Sequence, residues 1–137
     1  MLLAIVWGSL PVRLHRAGDN GSGARCLALA EQPRSADRAA EIPLLERCVS
    51  EVSNDAELIA DLGDAYAAGG RNAEAERAYR RALEIDQDFA DVHLKLADQL
   101  LRKGDPASAR PHVEAALRVQ PNRRAAEELL AKVTAAK

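Results

Sequence analysis

Sliding the chain against itself by 34 residues superposes Ala56 on Ala90, Leu62 on Leu96, Asp64 on Asp98, Gly70 on Gly104, Ala73 on Ala107, Ala75 on Ala109, Ala82 on Ala116 and Leu83 on Leu117. Self-similarity at this period marks a stack of supersecondary units, each too small to bury its apolar face alone. The constraint is severe, because one unit must be built twice and must also fit against its own copy.

Each unit contains two helical patterns separated by a glycine break. Leu58, Ile59, Leu62, Gly63 and Tyr66 recur at three- and four-residue steps, and Gly69-Gly70 ends the run. Asn72 is expected to cap a second helix whose buried face carries Ala75, Tyr79, Ala82 and Leu83. In the next unit Val92, His93, Leu96, Ala97 and Leu100 form the first face and Gly104 stops it. Asp105-Pro106 then supplies an N-cap and a proline at the first helical position, and Ala109, Val113, Ala116 and Leu117 are expected to bury. Gln120-Pro121-Asn122 closes the unit. These patterns predict an all-α stack of helical hairpins.

The composition agrees. Of 137 residues, 47% are hydrophobic but only 3% are aromatic, namely Trp7, Tyr66, Tyr79 and Phe89, which disfavours pleated sandwiches and barrels. Charged residues at 29% beside so much apolar content argue against a disordered chain, and the length suits one domain. A formal net charge of -2 and so few aromatics leave neither a basic field nor a base-stacking platform, so nucleic acid is not expected as a partner.

At these residues the sequence resembles the tetratricopeptide repeat family. Counting from Ala56, the family's large-Leu-Gly-Tyr signature falls on Ile59, Leu62, Gly63 and Tyr66, and the small-large-small pattern of its second helix on Ala75, Tyr79 and Ala82; its closing proline is replaced by Gln87. Counting from Ala90, the same places hold His93, Leu96, Ala97 and Leu100, then Ala109, Val113 and Ala116, with the closing proline present as Pro121. Small residues at Gly63, Ala97, Ala75 and Ala109 would let helices approach where larger side chains would force them apart. The resemblance implies a right-handed superhelical stack of antiparallel hairpins, with full repeats at 56–89 and 90–123.

The flanks read as diverged ends of the stack. Residues 124–137 form an amphipathic capping helix through Ala126, Leu130 and Val133. Residues 25–55 form a degenerate first repeat, with helical stretches at 24–31 and 39–52, Pro33 near the usual tyrosine position and Glu41 near the usual alanine. Cys26 and Cys48 lie about equally far from a turn centred near Asp37, so antiparallel pairing would bring them level, and Cys48 takes the small buried position of Ala82 and Ala116. Two readings stay open there: a pair of small buried residues in a reducing compartment, or a disulfide closing a loop of about 22 residues and contributing about 3 kcal/mol.

Residues 1–24 are an apolar N-terminal segment and a flexible linker. Met1 to Val12 is nearly all apolar, Arg13, His15 and Arg16 follow, and Ala17 to Ala24 is rich in Gly, Asn, Asp and Ser. The apolar run is too short for a complete membrane span, which takes about 20 residues. Three readings remain for it: a locally packed tail, a signal peptide or the end of a membrane anchor starting upstream, and a partner-binding segment. Export or anchoring in a cell envelope is favoured slightly over a cytoplasmic location, and the alanine and arginine bias suggests a bacterial source.

The chain shows no catalytic constellation. His15, His93 and His112 are not spaced as metal ligands, no Gly-x-Ser-x-Gly occurs, and Gly63, Gly69 and Gly70 are explained by packing and capping. Neither enzymatic activity nor a cofactor or metal is expected. His93 and His112 could meet across one hairpin, with packing the expected role. The family resemblance instead implies a partner-binding groove along the first helices, carried onto Asp61, Asp64, Asp91, Leu94, Lys95, Asp98, Leu101, Arg102, Leu129 and Lys132, with Glu57, Ala60, Ala67, Ala68 and Glu128 around them. Chaperone adaptors of the family clamp a terminal carboxylate with Lys and Asn; the corresponding positions here are small or acidic, so the expected partner is a basic or mixed peptide with one or two apolar anchors. The expected function is a non-catalytic protein-interaction module, or alternatively a structural subunit or assembly factor of a cell-envelope complex that uses residues 1–12 for membrane association.

Overall fold

The computed structural model describes Cys26 and residues 37–136. The apolar start at 1–12, the linker at 17–24 and, Cys26 apart, the helical stretch at 24–31 with Pro33 lie outside the described residues. Among the described residues every regular element is helical: a 3-10 turn at Arg38–Glu41, then α1 (Ile42–Glu51), α2 (Ala56–Ala68), α3 (Asn72–Ile85), α4 (Ala90–Arg102), α5 (Pro106–Val119) and α6 (Arg124–Ala135).

The two full repeats are the hairpins α2–α3 and α4–α5, whose partner helices make the most extensive contacts among the described residues; α1 leans on α2, α3 on α4, and α6 closes against α5 and α4. Both hairpins turn in the same way. After α2, the Gly70 N–H bonds the Ala67 carbonyl and the Arg71 N–H reaches back to Tyr66; after α4, Gly104 bonds Leu101 and Asp105 bonds Leu100. This double closure satisfies the last carbonyls of each helix and places one residue in the left-handed region, which glycine adopts without strain. Gly70 at φ 73° and Gly104 at φ 84° are those residues.

The core runs through the stack as one cluster of small and aliphatic side chains. Ala75, Ala82, Ala97, Ala109 and Ala116 are fully buried, with Ile59, Tyr79, Val92, Leu96, Leu100 and Val113 filling the space between them. Gly63 is explained by sterics: a Cβ added there would stand 2.6 Å from Tyr79 Cε1 and 2.8 Å from Cδ1. The tyrosine ring occupies the place of the missing methyl.

Three local expectations change. Asn72 is the first residue of α3; Arg71 takes the cap position and no side chain caps that helix, whereas the Asp55 carboxylate accepts from Glu57 and Leu58 N–H at α2 and Asp105 from Ser108 N–H at α5. The helical stretch expected from 39 opens as a 3-10 turn and becomes α-helical at Ile42, which keeps Pro43 in the first turn, where its missing N–H breaks no bond. In the capping helix it is Leu129, with Ala126 and Val133, that is buried, while Leu130 is partly covered.

Candidate functional site

The side chains expected to line the groove come from α2, α4 and α6, and the structure divides them into two groups. Leu94, Leu129 and Ala60 are buried in the core. Asp61, Asp64, Ala67, Lys95, Asp98 and Leu101 are partly exposed, and Glu57, Ala68, Asp91, Arg102, Glu128 and Lys132 are exposed. Leu101 is therefore the large apolar side chain of the set that remains open to contact, with Ala67 and Ala68 beside it in the repeat register.

Most of the charged members are held in ion pairs, some with one another and some with residues outside the set. Asp64 on α2 receives the Tyr79 hydroxyl from α3 at 2.7 Å and Lys95 Nζ from α4 at 2.6 Å, and Arg38 Nη2 of the 3-10 turn stands 3.6 Å away. One carboxylate thus ties four elements together. Burial, reinforced by the hydrogen bond to Asp64, pushes the Tyr79 phenol far above the ordinary tyrosine value, so it stays protonated as the donor. Arg38 also lies 3.8 Å from Asp61. Asp91 on α4 pairs with Arg123 at the start of α6, Asp98 with Arg102 at 2.8 Å, and Glu128 with Arg124 at 3.1 Å. The acidic surface expected from the residue types becomes a row of ion pairs, in which Arg38 and Lys95 reach Asp64 from the units on either side and Arg123 ties Asp91 to the start of α6.

Residues that sequence reasoning missed do much of this joining. Arg38 lies in a turn between two helical patterns and gave no periodic signal. Arg123 stands 32 residues after Asp91, close to one repeat period, and that spacing could have revealed it. A second cluster lies at the start of the second repeat: His93 Nε2 is 2.9 Å from the Gln87 carbonyl oxygen, and its Nδ1 is 3.0 Å from Nδ1 of His112 on α5. Cys26 and Cys48 are joined by a disulfide with Cα atoms 5.4 Å apart, and both are buried. Between α1, α2 and α3 lies an open depression of about 200 Å³, lined by Val49, Ile59, Leu62, Tyr66, Glu74, Arg77, Ala78 and Arg81. It is smaller than the roughly 300 Å³ at which sites for small organic ligands begin. Among the described residues no group of three or more His, Cys, Asp and Glu could hold a metal ion, and no helix is long and apolar enough to cross a membrane.

Two family models match the chain, one described as TPR repeat over residues 63–104 and one as tetratricopeptide repeat over 90–133. Among solved structures, the second TPR domain of the human RPAP3 protein, in complex with an HSP70 peptide, is 18% identical with a TM-score of 0.70, over 83% of this chain and 92% of that one. The MamA protein is 19% identical with a TM-score of 0.71 over 83% of this chain, which spans only 59% of MamA. The Yersinia enterocolitica type III secretion chaperone SycD, in complex with a peptide of the translocator YopD, is 18% identical with a TM-score of 0.65, over 84% of this chain and 86% of that one. At such identities the likeness speaks for the fold. No curated protein matches the chain in sequence.

Proposed function

The chain belongs to the tetratricopeptide repeat family, and from that premise we propose that it is a non-catalytic interaction module whose first-helix face, along α2, α4 and α6, receives a partner peptide. The observation that carries the reading is the row of ion pairs on this face. Asp64–Lys95 and Asp91–Arg123 stiffen the junctions between successive first helices, so the surface is organised before a partner arrives. Structural neighbours of the same fold were solved with peptides: RPAP3 with an HSP70 peptide and SycD with a YopD peptide.

The pairing also sharpens the partner. A strongly basic peptide would find its carboxylates already engaged by Arg38, Lys95, Arg102 and Arg123. A segment of mixed charge, with an apolar side chain seated at Leu101 beside Ala67 and Ala68, matches the alternating surface without breaking those pairs. The test is selection from a random peptide library on the intact chain. Selected peptides of mixed charge should lose at least tenfold in affinity for Leu101→Glu and keep it for Arg77→Glu on α3; equal losses in both variants would overturn the assignment.

A second reading rests on the Cys26–Cys48 disulfide, since such bonds persist in oxidising compartments. With the apolar start at 1–12, it supports a role as a subunit or assembly factor of a cell-envelope complex. Fractionation discriminates: membrane recovery of the full-length chain, abolished by deletion of residues 1–20, is expected for this reading, and a wholly soluble full-length chain rejects it.

A further inference from the structure

The histidine pair at the start of the second repeat is not used by the proposed binding face, and its hydrogen bonds define where its protons lie. The Gln87 carbonyl can only accept, so His93 Nε2, at 2.9 Å, carries a proton. In neutral His93 the Nδ1 is then a bare acceptor, and Nδ1 of His112, at 3.0 Å, must be the donor. The neutral pair thus has one arrangement, His93 protonated at Nε2 and His112 at Nδ1. It links three pieces of chain: the α3–α4 loop through Gln87, α4 through His93 and α5 through His112. The rings stand 5.3 Å apart by their centroids, and His93 is buried.

We propose that this pair is a proton-responsive clasp, which holds the second repeat closed when neutral and loosens it on mild acidification. A first added proton can go to Nε2 of His112, leaving both hydrogen bonds in place but charging a half-buried ring. A second proton, on His93 Nδ1, sets one N–H against another and breaks the link between α4 and α5. The surroundings do not help. The charged groups acting on His112 are His93 and Arg80 of α3, both cations when charged; Arg80 is itself held by Glu76 at 2.8 Å. On α4, the Asp91 and Lys95 side chains are taken by Arg123 and Asp64. In the loop the Asp86 carboxylate accepts from Asp88 N–H. Burial first, then these cations, hold the His112 imidazolium below the ordinary histidine value.

The sign follows from linkage. In the unfolded chain the histidines bind protons near pH 6.5. Because His112 in the folded chain binds its proton less readily, the folded state is fully favoured above that value and loses ground as pH falls through it, by up to about tenfold in the folding equilibrium per pH unit for the proton excluded. The loss concentrates in residues 90–119, and α4 carries Asp91, Lys95, Asp98 and Leu101, so the binding face would soften with it. The stability effect stands whether or not that face binds a peptide.

The experiment measures urea unfolding of the full chain between pH 8 and pH 5 for the wild type and for His112→Asn, whose amide nitrogen takes the place of Nδ1 and can still donate to His93 without titrating. The wild type is expected to lose about three- to eightfold more of its folding equilibrium than the variant between pH 7 and pH 5.5, the upper figure being what one fully excluded proton gives; parallel profiles overturn the proposal. If the variant does not fold, imidazole nitrogen NMR of the wild type at pH 8 decides. His93 should appear with its proton on Nε2 and His112 with its proton on Nδ1, and two rings both protonated on Nε2 would refute the clasp.

Discussion

Residues 56–89 and 90–123 occupy equivalent places in the stack, yet they fill the same interhelical space with different pairs of side chains. The first hairpin sets Gly63 under the ring of Tyr79; at the equivalent positions the second has Ala97 and Val113, both fully buried. In both the smaller residue stands on the first helix and the larger on the second, and the bulkiest of them, Tyr79, faces the one position with no side chain at all. The helix starts differ in a reciprocal way. In the first repeat the Asp55 carboxylate caps α2 and α3 has no side-chain cap; in the second α4 has none and the Asp105 carboxylate caps α5. Where α4 begins without a cap, the bond from His93 to Gln87 holds the approach instead.

The contrast is open to direct attack. Tyr79→Ala should give the largest effect, about 3–5 kcal/mol by urea unfolding, because a ring is lost from a close-packed site; Val113→Ala should cost clearly less, and equal losses would mean that the two hairpins are not packed as described. Gly63→Ala should cost about 1–3 kcal/mol by driving a methyl into the Tyr79 ring. Combined with Tyr79→Val, which recreates the pair of the second repeat, it should be less destabilising than the two single changes summed, by at least about 0.5 kcal/mol. Tyr79→Phe should cost about 0.5–1.5 kcal/mol, since Asp64 keeps Lys95 and Arg38 when the hydroxyl is gone. The smallest effect is at the caps: Asp105→Ala should lower the thermal midpoint slightly and Asn72→Ala should leave it unchanged, because only the former caps a helix.

Most of the fold was legible because its signals are local or periodic. The glycine breaks, the Asp105-Pro106 start, the alanine stripe and the 34-residue offset each act within one helix turn or repeat at regular spacing. The candidate face was only half legible. Leu94 and Leu129 stand at positions assigned to the groove, yet both are buried, so an apolar residue on a first helix says nothing by itself about which neighbour covers it. The asparagine at 72 and the aspartate at 105 show the same limit at a helix start, where a shift of one residue decides whether a side chain caps the helix or stands within it.

The sequence by itself determined that this chain is a stack of helical hairpins, where the glycine breaks fall, and why alanine is abundant, because these follow from spacing and from the volume each position allows. Apart from the near-repeat spacing of Asp91 and Arg123, it was the tertiary structure that decided which charges meet. Asp64 with Lys95 and Asp91 with Arg123 are partners 31 and 32 residues apart, and Arg38 reaches Asp64 from a turn that carries no repeat signal. Such pairs depend on how one repeat is rotated against the next. That rotation is set by the summed packing of the core, and it converts an apparently acidic surface into a row of matched charges.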